Sequence, residues 1–479
     1  MWLLPLWAVV MLVLFTPFGS FSRDLHTDEA YTASYVTHEN VSQLLEDVRK
    51  NEETPPIYFI ATWLWSQIFG TGELALRSFS MVTILIAGGL FAYFVGLWLP
   101  LPVAWVSVTI FSVSPLIAPY LVTARAYGLT VLLTVLCIAA FEDVYRRPED
   151  NLVLIRYALI STIFMLTSYF SLALITAHSI LWLNFVLKHE RREQLLRKWL
   201  LVHIGIVSAI LMWLPSLAYQ LRVVPAVTPF RGIQLEHYFL ILVGFLMNAP
   251  PFTQWFLIWL ALGLSSWCLI GLGLAHAPID QRQLLTRTIG LPTLILLLLL
   301  ISINAVGPRY LLILLPGAAI GTALGLDTFR RQSSRLWLVS VCIVIGGIIS
   351  YRLPGLLRST ADHSWDELTQ IVAQQAELQG DVVLVQPPFN ERLFRYYYHG
   401  PPMVVLGAHH YDDFYYFQGH DMYEDWRIEQ VVPLTSASKR VWVFYEPSGP
   451  DELDLPYKQL RSWETSKIRL TLYAVTDQP

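Results

Sequence analysis

Long apolar runs recur along the chain from residue 2 to residue 351 and then stop. A helix that crosses a membrane needs roughly 20 apolar residues, and most of these runs approach that length. The run from 153 to 187 has basic residues at both ends, so it is expected to cross twice. The pattern predicts about 11 transmembrane helices, near residues 2–18, 75–97, 102–118, 127–141, 153–168, 170–187, 199–219, 254–276, 288–303, 310–327 and 336–351.

Arginine and lysine are distributed unequally between the two sets of loops. Cytoplasmic loops are generally the richer in these residues. If the N-terminus is cytoplasmic, the loops inside carry clusters of arginine and lysine, and the short outside loops hold only isolated arginines: Arg125, Arg222, Arg231 and Arg309. The sequence therefore predicts that the loop at residues 20–74 and everything after Tyr351 lie on the extracytoplasmic side.

The first outside loop carries signals for a short amphipathic helix. Asn40 is a favoured N-cap residue and would start a helix at Val41, and Pro55-Pro56 would end it. Its apolar residues share one face at helical spacing: Val41, Leu44, Leu45 and Val48. That face would lie in the membrane interface or pack on protein, and both remain open. A second outside segment, residues 220–254, is interpreted as a re-entrant or interfacial loop covering a site.

Beyond residue 359 the pattern changes to short alternating strands and helices, which is typical of a small α/β domain. The predicted elements are a helix from Ser364, a strand at Gly380–Val385, a helix at 390–398, and strands at Met403–Leu406, Val441–Tyr445 and Ile468–Ala474. We expect a mostly parallel sheet. The predicted domains are a transmembrane domain, residues 1–355, and a soluble extracytoplasmic α/β domain, residues 356–479.

Composition agrees with a membrane protein. Of the 479 residues, 55% are hydrophobic and 14% charged, whereas about 25% are charged in a typical soluble domain. The net charge of −4 argues against a nucleic-acid partner. The cysteines Cys137, Cys268 and Cys342 are scattered in apolar runs, so neither a disulfide framework nor a cysteine metal site is expected.

The acids Asp24, Asp28 and Glu29 follow the first apolar run. Charged groups are costly to place at a membrane face and therefore often mark function. A helix that begins near Thr27 would place Asp28 and Glu29 in its first turn, where the helix dipole favours acids whatever their role. Both interpretations stay open. His26 is interpreted first as a solvated loop residue and second as a metal ligand.

Two arginines lie at the predicted outer ends of helices, Arg125 and Arg309. The planar guanidinium is well suited to phosphate, so the pair indicates a site for an anionic lipid head group. The alternative is that each side chain reaches lipid phosphate or ends its helix. Arg77, near the start of the second spanning helix, is interpreted as structural.

The order of several motifs resembles a known group of enzymes. The motifs are Asp28-Glu29, Thr54-Pro55-Pro56-Ile57-Tyr58, Phe69–Arg77, Ala124-Arg125-Ala126-Tyr127 and Pro308-Arg309-Tyr310. Residues 1–350 resemble the GT-C fold glycosyltransferases that use polyprenyl-phosphate sugars. In particular they are similar to glycosyltransferase family 39, the bacterial relatives of protein O-mannosyltransferases and lipid A aminoarabinose transferases.

The resemblance implies an integral protein of the bacterial inner (plasma) membrane. Such an enzyme would transfer a sugar from a polyprenyl-phosphate donor to an unknown acceptor, whether lipid, glycan or protein, on the extracytoplasmic face. The resemblance assigns the general base to Asp28, with Asp24 as second choice, and the orientation of acceptor or donor to Glu29. It assigns the donor phosphate to Arg125, Arg309 and Tyr310. Secondary candidates are His26, Tyr58 and Tyr127.

The sequence departs from the resemblance at one position and leaves metal binding and two alternative functions open. Some relatives carry an acid beside the equivalent of Arg125, and this sequence lacks one there. Some GT-C enzymes bind a divalent cation near the first-loop acids, and Asp28, Glu29 and His26 are possible ligands, but their spacing fits no specific metal pattern. The alternative functions are a transporter or flippase of a lipid-linked sugar, and a non-catalytic envelope glycan assembly protein.

Overall fold

The chain folds into a helical part followed by a small domain built on a sheet. The computed structural model describes residues 2–219, 242, 256–303, 307–357, 363–376, 380–386, 390–406, 435, 438–446 and 455–475. The predicted loop at 220–254 lies outside the described residues except for position 242. The helices of the first part are α1 (Leu3–Leu14), α2 (Thr27–Val36), α3 (Val41–Asn51), α4 (Ile57–Phe69), α5 (Glu73–Trp98), α6 (Leu101–Val113), α7 (Tyr127–Arg146), α8 (Asn151–Met165), α9 (Ser171–Val186), α10 (Arg192–Leu211), α11 (Phe256–His276), α12 (Ile279–Leu285), α13 (Leu291–Ser302), α14 (Leu315–Gln332) and α15 (Ser334–Leu357).

Every predicted apolar run contains a helix, and the run from 153 to 187 divides into α8 and α9. A π-helical turn, Thr286–Gly290, joins α12 to α13, and a 3₁₀ segment, Pro308–Leu314, leads into α14. Among the described residues, 6 helical segments are long and apolar enough to cross a membrane. They are Glu73–Trp98, Tyr127–Arg146, Arg192–Leu211, Ile279–Ser302, Pro308–Gln332 and Ser334–Leu353. The other apolar helices are shorter, so the total number of spans stays a prediction.

Helix α14 lies at the centre of the bundle, and α15 lies at its edge. In the apolar part of Pro308–Gln332, 94% of the residues are buried, against 11% in Ser334–Leu353. Gly325 lets α14 approach α11 closely, because a Cβ there would lie 2.0 Å from the carbonyl oxygen of Leu269. Small residues commonly permit such contacts between membrane helices.

The predicted helix in the first outside loop is present as α3. The side chain of Asn40 accepts a hydrogen bond from the amide of Gln43, as expected of an N-cap. Leu44 and Val48 are completely buried against the aromatic side chains of Tyr35 and Phe59. Leu44 and Val48 of the apolar face of α3 therefore pack on protein, whereas Val41 and Leu45 are partly exposed.

In its described residues the C-terminal domain has a five-stranded sheet and two helices, α16 (Ser364–Gln375) and α17 (Glu391–Tyr397). Its strands are β1 (Asp381–Gln386), β2 (Val404–Leu406), β3 (Arg440–Tyr445), β4 (Lys458–Glu464) and β5 (Arg469–Ala474), in the spatial order β2-β1-β3-β5-β4. Strand β1 pairs in parallel with β2 and β3, whereas β5 pairs antiparallel with β3 and β4. The expectation of a mostly parallel sheet was wrong, since half of the pairings are antiparallel.

Strand β4 was missed because its residues carry little strand signal. It lies at the edge of the sheet and its side chains are mostly exposed, so it needs no continuous apolar face. Strands β1 and β3, by contrast, are buried in the middle of the sheet and read as apolar runs.

One apolar core joins the C-terminal domain to the first outside loop. It contains Leu25, Ala30 and Ala33 from the loop, and Trp365 and Phe394 from the domain. The loop helix α2 therefore packs into the core of the C-terminal domain.

Candidate active site

Helix α2 begins at Thr27 for reasons that its sequence makes plain. The carboxylate of Glu29, the third helical residue, accepts a hydrogen bond from the backbone amide of His26 at 3.0 Å. This is the acid half of a capping box, and the two acids of the first turn favour the positive end of the helix dipole. Asp28 is thereby presented at the helix start with 58% of its side chain exposed.

Glu29 has a very different environment from its neighbour. Its carboxylate is fully buried and accepts two hydrogen bonds from Arg77, one from the amide of Ala124 and one from the amide of His26. Burial alone would raise the pKa of Glu29, but the bonds and positive charge of Arg77 outweigh it and lower that pKa. Glu29 therefore stays ionised and holds structure together, with no oxygen left free for a substrate.

Asp24 also points away from Asp28. Its buried carboxylate accepts hydrogen bonds from the amides of Trp365, at 2.6 Å, and Asp366, at 3.3 Å. It therefore satisfies the N-terminal amides of α16 in the C-terminal domain. His26 is exposed and lines a small cavity between the two domains with Lys467. Neither residue is gathered with Asp28.

Arg309 lies beside Asp28. Its guanidinium is 3.9 Å from the Asp28 carboxylate, 3.4 Å from the hydroxyl of Tyr127 and 3.0 Å from that of Tyr310. It is still 39% exposed, so part of its donor fork is free. Phe170 packs against the Tyr310 ring at 4.3 Å. The structure therefore brings four of the predicted residues together, Asp28, Arg309, Tyr127 and Tyr310.

Arg125 reaches the same region from the other side, but it is already paired. It donates two parallel hydrogen bonds, each 2.8 Å, to the carboxylate of Glu52, and a further bond to the backbone oxygen of Asp28 at 3.3 Å. Glu52 is 6% exposed and Arg125 13%. The acid that the sequence lacks beside Arg125 is thus supplied from the end of α3.

Two acids were missed by the sequence reasoning, Glu52 and Glu53. The side chain of Glu53 has surface in contact with solvent. The protein around its carboxyl group still displaces much of the water, and this desolvation, followed by the charge of Glu52, raises the pKa of Glu53 to about 7. The positive charges of Arg309 and Arg125 oppose this rise. The available signal was an acidic pair one residue before Pro55-Pro56, in a loop expected to lie near the site.

Tyr58, a secondary candidate, is buried in a cluster of aromatic side chains. It is 0% exposed and packs against Phe59 and Phe79 beneath α2. Its position in a packed aromatic cluster is sufficient to explain an aromatic residue there.

The proposed metal ligands do not fit a metal site. Within the described parts of the chain, no three His, Cys, Asp or Glu side chains come together as a metal would require. Glu29 already accepts four hydrogen bonds, and His26 faces the C-terminal domain.

No family model and no curated protein matches the sequence. Solved structures do match it over nearly its full length. ArnT from Cupriavidus metallidurans bound to undecaprenyl phosphate superposes with a TM-score of 0.61 at 14% identity, covering 98% of each chain. AglB, an oligosaccharyltransferase from Archaeoglobus fulgidus in complex with an inhibitory peptide and a dolichol-phosphate, gives 0.58 at 12% identity, covering 99% of this chain and 74% of that one.

The arabinofuranosyltransferase AftD from Mycobacteria gives a TM-score of 0.52 at 12% identity, covering 98% of this chain and 42% of that chain. All of these are GT-C fold glycosyltransferases. The chain therefore has the GT-C fold, as the resemblance in its sequence implied. It is a polytopic helical membrane protein with a small C-terminal sheet domain.

Proposed function

We propose that this protein is a membrane glycosyltransferase. It transfers a sugar from a polyprenyl-phosphate donor to a hydroxyl acceptor at the extracytoplasmic face of the membrane. The observation that carries the proposal is the pairing of an exposed carboxylate, Asp28, with a partly free guanidinium, Arg309, at 3.9 Å on a GT-C fold. ArnT of the same fold is bound to undecaprenyl phosphate.

Asp28 acts as general base in this proposal. Its carboxylate takes the proton of the acceptor hydroxyl, and the acceptor oxygen attacks the anomeric carbon from the face opposite the phosphate. The bond between the anomeric carbon and the phosphate oxygen breaks, and polyprenyl phosphate leaves with the electron pair. The configuration inverts. A general base contributes roughly 10²–10⁴-fold to such a rate.

Arg309 stabilises the negative charge that develops on the leaving phosphate. Its guanidinium lies beside the hydroxyls of Tyr127 and Tyr310. Such donors stabilise the transition state most when they are held in place beforehand. Arg125 has the supporting role, because its fork is occupied by Glu52 and its remaining bond goes to the Asp28 backbone.

We further propose a topology of about 11 crossings with the N-terminus in the cytoplasm. The proposed domains are residues 1–355 in the membrane and 356–479 outside. The distribution of basic loop residues supports this orientation. The packing of α2 into the core of the C-terminal domain supports a common side of the membrane for the two.

Binding of undecaprenyl phosphate to the purified full-length protein tests the donor site. We expect Arg309→Ala to weaken binding by roughly 10- to 100-fold, the usual worth of a hydrogen-bonded charge. The matched control is Arg461→Ala, an arginine on the exposed strand β4 that lies over the ring of Trp463. No binding by the wild type would remove the lipid-donor proposal.

Turnover tests the chemistry and separates the enzyme from a transporter. Undecaprenyl-phosphate pentoses and hexoses are offered with membrane extract as acceptor, and released undecaprenyl phosphate is quantified by mass spectrometry. We expect release by the wild type, and loss of release in Asp28→Asn with unchanged undecaprenyl phosphate binding. Glu46→Gln, an exposed acid of α3, is the control. Donor binding without release would favour the transporter, and full activity of Asp28→Asn would exclude Asp28 as base.

A further inference from the structure

The segment that precedes Asp28 is held by the C-terminal domain. Asp24 accepts hydrogen bonds from the first amides of α16. The amide of Leu25 donates to the hydroxyl of Tyr397 at 2.7 Å, and that hydroxyl donates to Glu73 at 3.0 Å. These bonds connect the start of α2 both to the C-terminal domain and to the membrane helix α5.

The contact nearest to Asp28 is made by its direct neighbour. The hydroxyl of Thr27 donates to the side-chain oxygen of Asn390 at 2.6 Å, and the amide nitrogen of Asn390 donates to Glu446 at 2.7 Å. Asn390 is 0% exposed. A buried amide needs its partners, so this chain of bonds fixes Thr27 relative to the sheet, since Glu446 directly follows β3.

A second contact holds the far end of the helix. Arg392 of α17 lies over the rings of Tyr31, at 4.4 Å, and Tyr35, at 5.0 Å. It also donates to the carboxylate of Asp47 at 3.1 Å and to the hydroxyl of Ser34. One side chain of the C-terminal domain therefore contacts both α2 and α3.

On its other side α2 is attached to the membrane helices through Glu29 and Arg77. Between these two attachments Asp28 is left with its side chain exposed. The arrangement is that of a reactive group on a rigid element with locked supporting residues, which is what accurate placement of a catalytic group requires.

We propose that the C-terminal domain positions the catalytic base, with Asn390 and Arg392 as positioning residues that fix α2 and thereby the carboxylate of Asp28. This inference rests on the proposed role of Asp28 in the preceding section. Neither residue touches the reacting atoms. Their effect is on the distance between Asp28 and the acceptor hydroxyl, and a misplacement of about 1 Å can cost roughly 100-fold in rate.

The first test uses turnover by the full-length protein. Thr27→Val and Asn390→Ala each remove the contact nearest to Asp28. We expect kcat to fall roughly 10- to 100-fold, with KM for the donor and the affinity for undecaprenyl phosphate nearly unchanged, because Arg309 is untouched. Thr27→Ser keeps the hydroxyl and is expected to retain activity. The control is Thr369→Val, which removes a buried hydroxyl whose hydrogen bonds to described residues stay within α16.

The second test does not depend on activity. Hydrogen exchange followed by mass spectrometry reports the order of peptides that cover residues 24–31. We expect faster exchange there in Thr27→Val, Asn390→Ala and Arg392→Ala than in the wild type, and no change in Thr369→Val. Unchanged exchange in those peptides overturns the inference whether or not a donor has been found.

Different results would contradict the proposed function and the positioning role. A wild type that neither binds undecaprenyl phosphate nor consumes a donor contradicts the proposed function. Inactivity of Asp28→Asn, together with full activity of both Thr27→Val and Asn390→Ala, contradicts only the positioning role. A loss of donor affinity in Asn390→Ala as large as the loss in kcat would also overturn it, because the effect would then be general damage to the site.

Discussion

Arg77 and Glu29 form a bidentate ion pair in which neither side chain has any exposed surface. The two bonds measure 2.9 and 2.7 Å, and Arg77 uses its remaining donors on the backbone oxygens of Phe21, Arg23 and Asp24. The pair therefore ties the chain around the start of α2 to the membrane helix α5.

Breaking this pair is expected to be expensive. Glu29→Gln leaves the charge of Arg77 buried without its counter-ion, which typically costs 3–5 kcal/mol. We expect a clear fall in the thermal unfolding temperature of the detergent-solubilised protein. Glu46→Gln removes an exposed partner of Lys50 in an i,i+4 pair and is expected to cost less than about 0.5 kcal/mol. Equal unfolding temperatures for the two variants would contradict the structural role of Glu29.

The two arginines that the sequence assigned to phosphate are expected to behave differently. Arg309→Lys should weaken undecaprenyl phosphate binding, since the planar fork is lost. Arg125→Lys should leave that affinity within about threefold, because the fork of Arg125 is already occupied by Glu52. It should instead lower stability and kcat, through the lost bonds to Glu52 and to the Asp28 backbone. Equal losses of affinity would return Arg125 to the phosphate site.

Glu53 is expected to make donor binding depend on pH. Its pKa is raised to about 7, so it is neutral below that pH and negative above it. When Glu53 ionises, its negative charge repels the donor phosphate that Arg309 binds. For two unit charges ~10 Å apart at an effective dielectric of ~20, this repulsion is worth roughly tenfold in affinity. Undecaprenyl phosphate titrates too, near pH 6. The measurement is therefore the wild-type affinity divided by that of Glu53→Gln, from pH 6 to pH 8.

That ratio is expected to fall as the pH rises through 7. The sign follows from the raised pKa, because the carboxyl group that is harmless when protonated becomes anionic next to an anion site. A ratio that stays constant from pH 6 to pH 8 would show that Glu53 does not titrate near the phosphate.

The close contact between α14 and α11 is expected to tolerate no side chain. Gly325→Ala places a methyl group against the backbone of Leu269, where a Cβ would have only 2.0 Å. We expect a loss of stability of more than about 2 kcal/mol, as for overpacking. Gly271→Ala is the matched control on α11, since no atom of the described residues lies within 4 Å of its Cβ position. It should be neutral or slightly stabilising, and thermal unfolding compares the two.

Much of this architecture could be predicted from the sequence because it depends on local pattern. Apolar runs predicted the membrane helices, and Asn40 predicted the start of α3. The antiparallel half of the sheet could not be predicted, because the exposed edge strand β4 carries little apolar signal. Which strands pair is decided by contacts distant in the sequence.

Part of the site could also be predicted, because some of its residues belong to short local motifs. Asp28 and Arg309 were identified from motifs, and in the structure they lie 3.9 Å apart, while their roles stay proposals. The different roles of Asp28 and Glu29 could not be predicted from the sequence, in which they are two adjacent acids. It depends on Arg77, 48 positions away, turning one acid into a buried structural group. Likewise, only folding brings Glu52 to Arg125.

The apolar core shared by α2 and the C-terminal domain has a consequence for anyone who recombines such proteins. A chimera that exchanges only the chain after residue 357 would set a foreign surface against Leu25, Ala30 and Ala33. A cut after residue 357 therefore divides the apolar core that the C-terminal domain shares with the first outside loop. The unit to be exchanged is therefore discontinuous in sequence. It consists of the C-terminal domain together with the segment from the end of α1 through α2.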